Sequence, residues 1–343
     1  MERSRALALL ARAPVVHLAT TAPEGSPVLR ALDAAVLDDA VAFHGAAVGE
    51  KARCAGRPAV VSAEEVVARI PSWAVDPEQA CRATTFYRSV QIHGTLRSVE
   101  DPARKARVLE ALMRRWQPEG RHLPIDPGAP RYAARVREVL VLEVPLDAVD
   151  GKEALGQGRP AADLQGILAA LWTRGAPGDD RAIEAIRRAN PALPAPEFLA
   201  GPEGFRLSAA LDPVDLPAAV ELLAGEYWWE DLPRDGIAPA QLASTAWVGA
   251  HDAEGRLAAT ARAVSDGKCA WIYDVAVRAD VRGRGLGKRV VALVLDHPAV
   301  RGARCVRLAT RDAQGLYERF GFRNGAPPMR RPSSTEMVLL RTR

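Results

Sequence analysis

Apolar and polar positions alternate through most of the first 150 residues with the short period of β-strands. The run "VVHLATT" (15–21) is such a strand. The "APEGSP" after it carries the proline, glycine and serine of a hairpin turn. "VLRALDAAVL" and "DDAVAFHGA" follow, joined at Asp38 and Asp39. Further strands are expected around residues 59–62, within "YRSVQIHGTLRSV" (87–99) and within "EVLVLEVPLDAV" (138–149). Helices are scarcer. The first residues read as a short amphipathic helix leading into the first strand. "DPARKARVLEALMRRW" (101–116) has an aspartate N-cap and a proline in its first turn. Its apolar residues recur at Val108, Leu109, Leu112, Met113 and Trp116. Many strands with few helices predict a small β-barrel.

Beyond residue 150 the pattern changes. "GKEALGQGRPAADLQGILAALW" contains a helix, read as a tail on the barrel, and the proline- and glycine-rich stretch 190–204 reads as a linker. From about residue 205 strands and helices mix, as in an α/β domain with a mixed sheet. "FRLSAALD" is a strand and "PAAVELLAGEYWW" a helix. Residues 245–277 make three strands with turns at 252–255 and 265–268. A helix from about Gly285 to Asp296, the strand "CVRLAT", the helix "DAQGLYERF" and a final strand "STEMVLLRT" complete it.

A chain of 343 residues is too long for one ordinary core, so two domains are expected. The 48% hydrophobic and 26% charged content is that of a globular protein. No apolar run approaches the roughly 18 residues of a membrane span. The basic, then apolar, N-terminus is interrupted at Arg12 and lacks a clear cleavage site for a signal peptide. Cys54, Cys81, Cys269 and Cys305 are scattered, with no C-x-x-C pair and no histidine at ligand spacing. That argues against structural zinc and disulfides and for a reducing cytoplasm. The net charge of +4 is spread without a basic tract, which argues against nucleic-acid binding.

The richest chemistry lies in "DVAVRADVRGRGLGKRVVALVLDHP" (274–298). A strand ends near Val277, a loop carries Arg282, Gly283, Arg284, Gly285 and Gly287, and a helix follows. Glycines let backbone N–H groups approach a ligand closely, and a helix N-terminus is partially positive. With Arg282, Arg284 and Lys288 added, the loop reads as a pyrophosphate cradle. It lacks the G-x-x-x-x-G-K-[ST] spacing of a nucleotide triphosphatase. It does match [R/Q]-x-x-G-x-[G/A] from Arg282 to Gly287. With Tyr-x-x-x-Gly-Phe at 317–322, residues 205–343 resemble the Gcn5-related N-acetyltransferases (GNAT).

That resemblance implies binding of acetyl-CoA by the backbone of Val275, Ala276 and Val277 and by residues 282–288, with Leu286 opening the helix. It implies direct attack of a small-molecule amine on the thioester. Tyr317 is expected as the general acid, or else as packing against the cofactor. Asp274 is a candidate general base, with Glu226 and Glu230 as rivals on a substrate-side helix. Tyr227, Trp228 and Trp229 are expected to line the acceptor pocket or to belong to the core.

In the first domain, "VAFHGAAVGEKARCAGRPAVVSAEE" places a glycine loop between a strand end and Lys51 and Arg53. With "YRSVQIHGTLRSVED", it resembles the pyridoxamine 5'-phosphate oxidase-like split barrel, in its nitroimidazole-resistance-type branch. The resemblance covers about 1–170. It implies FMN at a homodimer interface, contacted by Arg30, His44, Gly45, Lys51, Arg88 and Ser89. Lys51 also reads as a solvated loop charge, and Arg88 as a partner of a nearby acid. Haem is the minor alternative, with His17, His44 or His93 as ligand.

The expected organisation is therefore a split barrel (1–170), a helical tail and linker (171–204) and a GNAT domain (205–343). Three functions remain open: a bifunctional FMN oxidoreductase and N-acetyltransferase, an acetyltransferase regulated by a flavin or haem sensor, and an acetyltransferase dimerised by a structural barrel.

Overall fold

The computed structural model describes residues 1–230 and 232–323. The chain divides into two compact units. One comprises residues 1–69 and 83–157, the other residues 70–82 and 158 onward.

The first unit is built on two antiparallel sheets with four helices. In chain order it contains α1 (Arg3–Arg12), β1 (Val16–Thr21), β2 (Pro27–Leu32), β3 (Ala35–Val36), β4 (Ala40–Gly45), α2 (Glu50–Arg53) and β5 (Pro58–Ile70). Next come β6 (Thr84–Thr95), β7 (Arg97–Ser98), α3 (Pro102–Trp116), α4 (Pro130–Glu138), β8 (Leu140–Pro145) and β9 (Ala148–Ala154). One sheet has the order β2-β1-β5-β6-β9 and the other β3-β4-β8-β7. Their inward faces bury Leu18, Phe43, Val61, Ile92 and Leu142 with Leu9 and Leu10 of α1, so that helix completes the barrel core.

The predicted hairpin closes as expected, with Thr21 opposite Pro27 and Gly25 at φ +90°. One strand runs longer than the sequence pattern suggests, and one expected run is split. β5 continues past Glu64 and Glu65 because these point outward to His17 and Arg12. The single run expected over 138–149 is two strands in different sheets. After Pro145 the chain turns, and β8 pairs with β4 while β9 pairs with β6. In α3, the Asp101 side chain accepts from the N–H groups of Ala103 and Arg104 at 3.2 and 3.0 Å, and Val108 and Leu112 are buried.

The second unit contains α5 (Ala161–Arg174), α6 (Asp179–Ala189), β10 (Arg206–Ser208), α7 (Leu216–Leu223), α8 (Ile237–Leu242), β11 (Ala246–His251), β12 (Leu257–Ser265) and β13 (Cys269–Val277). It continues with α9 (Leu286–Asp296), α10 (Pro298–Arg301), β14 (Cys305–Arg307) and α11 (Gln314–Glu318). The sheet order is β10-β11-β12-β13-β14. All pairs are antiparallel except β13 with β14. The expected final strand lies outside the described residues.

The boundary falls at residue 157, earlier than the expected 170. Helix α5 belongs to the second unit because its buried Trp172 donates to Asp296 at 2.9 Å and its C-terminal carbonyls accept from Arg301. In α6, Glu184 accepts from the N–H of Ala209 at 2.9 Å. The stretch read as a linker is docked as well. Arg289 of α9 donates to the carbonyls of Phe198 and Ala200, and Leu199 is buried. No helix among the described residues is long and apolar enough to cross a membrane.

Asp101→Ala removes the acceptor that closes the first turn of α3. It is expected to cost about 1 kcal/mol of first-unit stability, as a lower urea midpoint with an unchanged slope.

Candidate functional site

The site of the second unit begins with a strand that loses a neighbour. β13 and β14 are in register at Cys269–Cys305, Ala270–Val306 and Trp271–Arg307. Beyond Trp271 the pairing stops, while β13 continues to pair with β12 as far as Val277 opposite Ala259. The other edge of residues 272–277 therefore has no strand beside it among the described residues. Backbone donors and acceptors cannot stay buried without partners, so such an edge invites an extended ligand.

The same strand carries a bulge. Thr260 faces Ala276 and Arg262 faces Tyr273, which leaves Ala261 opposite both Asp274 and Val275. Asp274 adopts φ +54°, a left-handed conformation that aspartate tolerates better than most residues. Its side chain is only 3% exposed. Oδ1 accepts from the indole N–H groups of Trp228 and Trp229 at 3.0 and 3.2 Å. Oδ2 accepts from Gln241 at 2.8 Å and from Arg262 Nε at 2.5 Å.

This corrects the expectation of a base at Asp274. A carboxylate holding four donors and an ion pair has no acceptor position turned toward an incoming amine. Glu226 and Glu230 are also placed differently than expected. α7 ends at Leu223, and the two glutamates flank a 3₁₀ turn over Tyr227–Trp229 rather than riding on a helix.

The loop after β13 turns through Gly283 and Gly285, at φ +81° and +83°, into the N-terminus of α9. Nothing lies within 4 Å of a Cβ built at either glycine, so their backbone faces open space. Arg282 donates to the Val277 carbonyl at 3.0 Å and lies 3.5 Å from Glu226. Arg284 departs from its expected role. Its guanidinium stacks over Phe205 at 4.5 Å and donates to the Glu203 carbonyl, so it is not part of the cleft wall.

The loop, the bulge, the aromatic turn and α11 enclose a cleft of about 1220 Å³. Tyr317 of α11 lines it, largely buried, and desolvation together with the neighbouring Tyr227 and Asp312 pushes its hydroxyl up to about 12. Sequence reasoning missed Trp271 and Tyr273, stacked at 5.9 Å on the cleft side of β13, and Arg311, packed 3.8 Å over the Tyr227 ring. The period-2 spacing of Trp271 and Tyr273 carried that signal. Arg311 had none.

In the first unit, Arg30, His44, Gly45 and Lys51 gather around the single turn of α2. Arg30 pairs with Glu50. Lys51 donates to the His44 carbonyl at 3.2 Å, and its side chain crosses the space a Cβ at Gly45 would fill. His44 Nδ1 is buried without a hydrogen-bond partner, and burial followed by Lys51 lowers the affinity of the ring for a proton. Arg88 lies elsewhere, donating to Glu153 at 2.7 Å and Glu65 at 3.3 Å. Its charge is spent in an ion-pair network that also includes Arg5 and Arg12, which corrects its assignment to the flavin. Ser89 sits next to it on β6, opposite Lys152. Of the histidines considered for haem, His17 lies 3.6 Å from Glu64 and His93 is exposed.

Residues 2–153 match the family model described as pyridoxamine 5'-phosphate oxidase, and residues 216–322 match that of the GNAT acetyltransferases. Among solved structures, the FAD and haem binding protein from Mycobacterium smegmatis is 23% identical. The match covers 45% of this chain and 71% of that one, with a TM-score of 0.38. An acetyltransferase assigned to the GNAT family from Xanthomonas campestris pv. campestris is 33% identical over 40% of this chain and 96% of that one, with a TM-score of 0.35. Glucosamine-6-phosphate N-acetyltransferase from Arabidopsis thaliana is 23% identical over 38% of this chain and 98% of that one, with a TM-score of 0.31. No curated protein matches the chain. The chain thus carries two domains in series, a pyridoxamine 5'-phosphate oxidase-like domain over residues 2–153 and a GNAT acetyltransferase domain over residues 216–322.

Proposed function

We propose that the second unit transfers the acetyl group of acetyl-CoA to an amine of a small metabolite. The observation that carries this reading is the unpaired edge of β13 running straight into the glycine turn at the N-terminus of α9. The fit to the cofactor is good on two counts. An extended pantetheine arm supplies the hydrogen-bond partners that residues 275–277 lack on that edge. Backbone N–H groups around Gly283–Gly287, the partial positive charge of α9, and Arg282 and Lys288 suit a pyrophosphate.

The chain's own residues then divide the work. The backbone of Val275, Ala276 and Val277 orients the thioester arm, which brings the reactants together. Tyr317 holds its proton at Oη because its pKa lies at about 12, and gives it to the departing sulfur. Glu226, held only loosely by Arg282, receives the proton of the amine.

For the first unit we propose a flavin-binding barrel, FMN in particular, that pairs with a second copy. The fit rests on the corner formed by Arg30, His44, Gly45 and Lys51, where a buried ring nitrogen lacks a partner, and not on Arg88. When bound, the flavin would supply reversible electron acceptance. Lys51 would meet its phosphate and His44 its polar edge.

Tyr317→Phe is expected to lower kcat for acetyl transfer about 100-fold while leaving the Kd for acetyl-CoA near that of wild type. Because burial raises the phenol, wild-type activity should show no fall centred near the ordinary tyrosine value of about 10. A fall there that disappears in the Phe variant would show the phenol to be unraised, and an unchanged kcat in the Phe variant would sink the general-acid role. The flavin reading is tested by the absorbance spectrum and mass of whatever heat releases from the purified protein. Flavin bands with an FMN mass are expected, and Lys51→Ala should weaken FMN binding at least about tenfold. A Soret band would instead assign haem, and no chromophore after FMN titration would leave the barrel a scaffold.

A further inference from the structure

We propose that Asp274 is a positioning residue, a latch that ties the aromatic wall of the cleft to the bulge of the strand beside it. The wall formed by residues 226–230 has little to hold it locally. It contains a single 3₁₀ turn, and its three aromatic side chains are each partly exposed. Trp228 and Trp229 pack on Leu223, Ile237 and Ala276, the Tyr227 hydroxyl accepts from the Arg311 N–H at 2.9 Å, and one buried oxygen ties both indoles to the strand. Both Trp228 and Trp229 spend their sole side-chain donor on Asp274 Oδ1.

Asp274 is itself held from two other elements. Arg262 reaches it from β12 and Gln241 from α8. Gln241 Oε1 in turn accepts from Trp247 of β11 at 3.1 Å, so the amide cannot rotate away without losing a second bond. The carboxylate belongs to the residue whose left-handed backbone makes the bulge. Whatever fixes the side chain therefore also fixes the bulge that leads into Val275–Val277 on the open stretch of β13. One residue governs two surfaces of the cleft.

The consequence is coupling. Under the acetyltransferase reading above, on which this step rests, an arm laid along Val275–Val277 and an amine held against Trp228 and Trp229 meet structure set by the same side chain. Seating the arm favours the ordered wall, and an ordered wall favours the arm, by reciprocal linkage. Proton abstraction by Asp274 would need a lone pair free of these four donors. The latch needs all of them in place.

Hydrogen exchange read by mass spectrometry on the full chain tests this without an acceptor. Three proteins are compared: wild type, Asp274→Asn, and the double variant with Trp228→Phe and Trp229→Phe. Asparagine tolerates the left-handed conformation, so the first variant alters the carboxylate rather than the backbone. The double variant leaves the Asp274–Arg262 pair intact and removes the two donors with part of each ring's packing on Leu223, Ile237 and Ala276. In both variants, peptides covering residues 222–230 are expected to exchange at least tenfold faster, while β11 and β12 keep wild-type protection. Saturating acetyl-CoA should slow exchange of those peptides in wild type, and this extra protection should vanish in the variants. Unchanged exchange of 222–230 in the double variant would overturn the latch. So would acceleration spread evenly over the second unit. If Asp274→Asn fails to fold, the double variant decides alone. A wild type that does not bind acetyl-CoA would remove the acetyltransferase reading, while exchange without ligand still judges the latch.

Discussion

A β-strand edge must find hydrogen-bond partners, and among the described residues of the second unit β13 has no strand on one side after Trp271. Much else follows from that constraint. β14 has to lead away, which opens the cleft between the two strands. α9 has to start where β13 ends, which brings its N-terminus and the glycine turn to the mouth of the cleft. α11 closes the far side and carries Tyr317 inward. The unmet backbone is thus the organising feature of the site, and the side chains elaborate it.

Charge is used differently in the two units. In the first, several arginines expected to meet a ligand are already neutralised. Arg88 is held by Glu153 and Glu65, and Arg30 by Glu50. The Arg30–Glu50 pair is partly exposed and contributes little stability, while Arg88–Glu153 is largely buried, and each consumes a charge a phosphate would need. Lys51 differs, because a carbonyl oxygen satisfies its hydrogen bond without neutralising it. In the second unit the buried pair Arg262–Asp274 is spent on architecture, while Lys288 stays exposed on the first turn of α9.

Burial also explains why two acidic groups in one cleft behave so differently. Tyr317 is desolvated with no cation beside it, which holds its proton in place across physiological pH. Asp274 is equally buried but faces a guanidinium and three N–H donors, so both its oxygens are immobilised. Similar exposure leaves a raised phenol in one case and a fully hydrogen-bonded carboxylate in the other, and the neighbours make the difference.

By itself the sequence determined the local grammar: the hairpin at residues 22–26, the Asp101 cap, the turn at Gly283 and Gly285, and the motif around Tyr317. These depend on neighbours a few residues away, which spacing and residue type report directly. Tertiary structure alone decided that Asp274 meets Trp228, Gln241 and Arg262, that Arg88 is consumed by Glu153, and that α5 packs on α10. Each of those contacts joins residues more than ten positions apart. Whether a carboxylate is free or committed depends on which donors the fold delivers to it, and no local pattern encodes that.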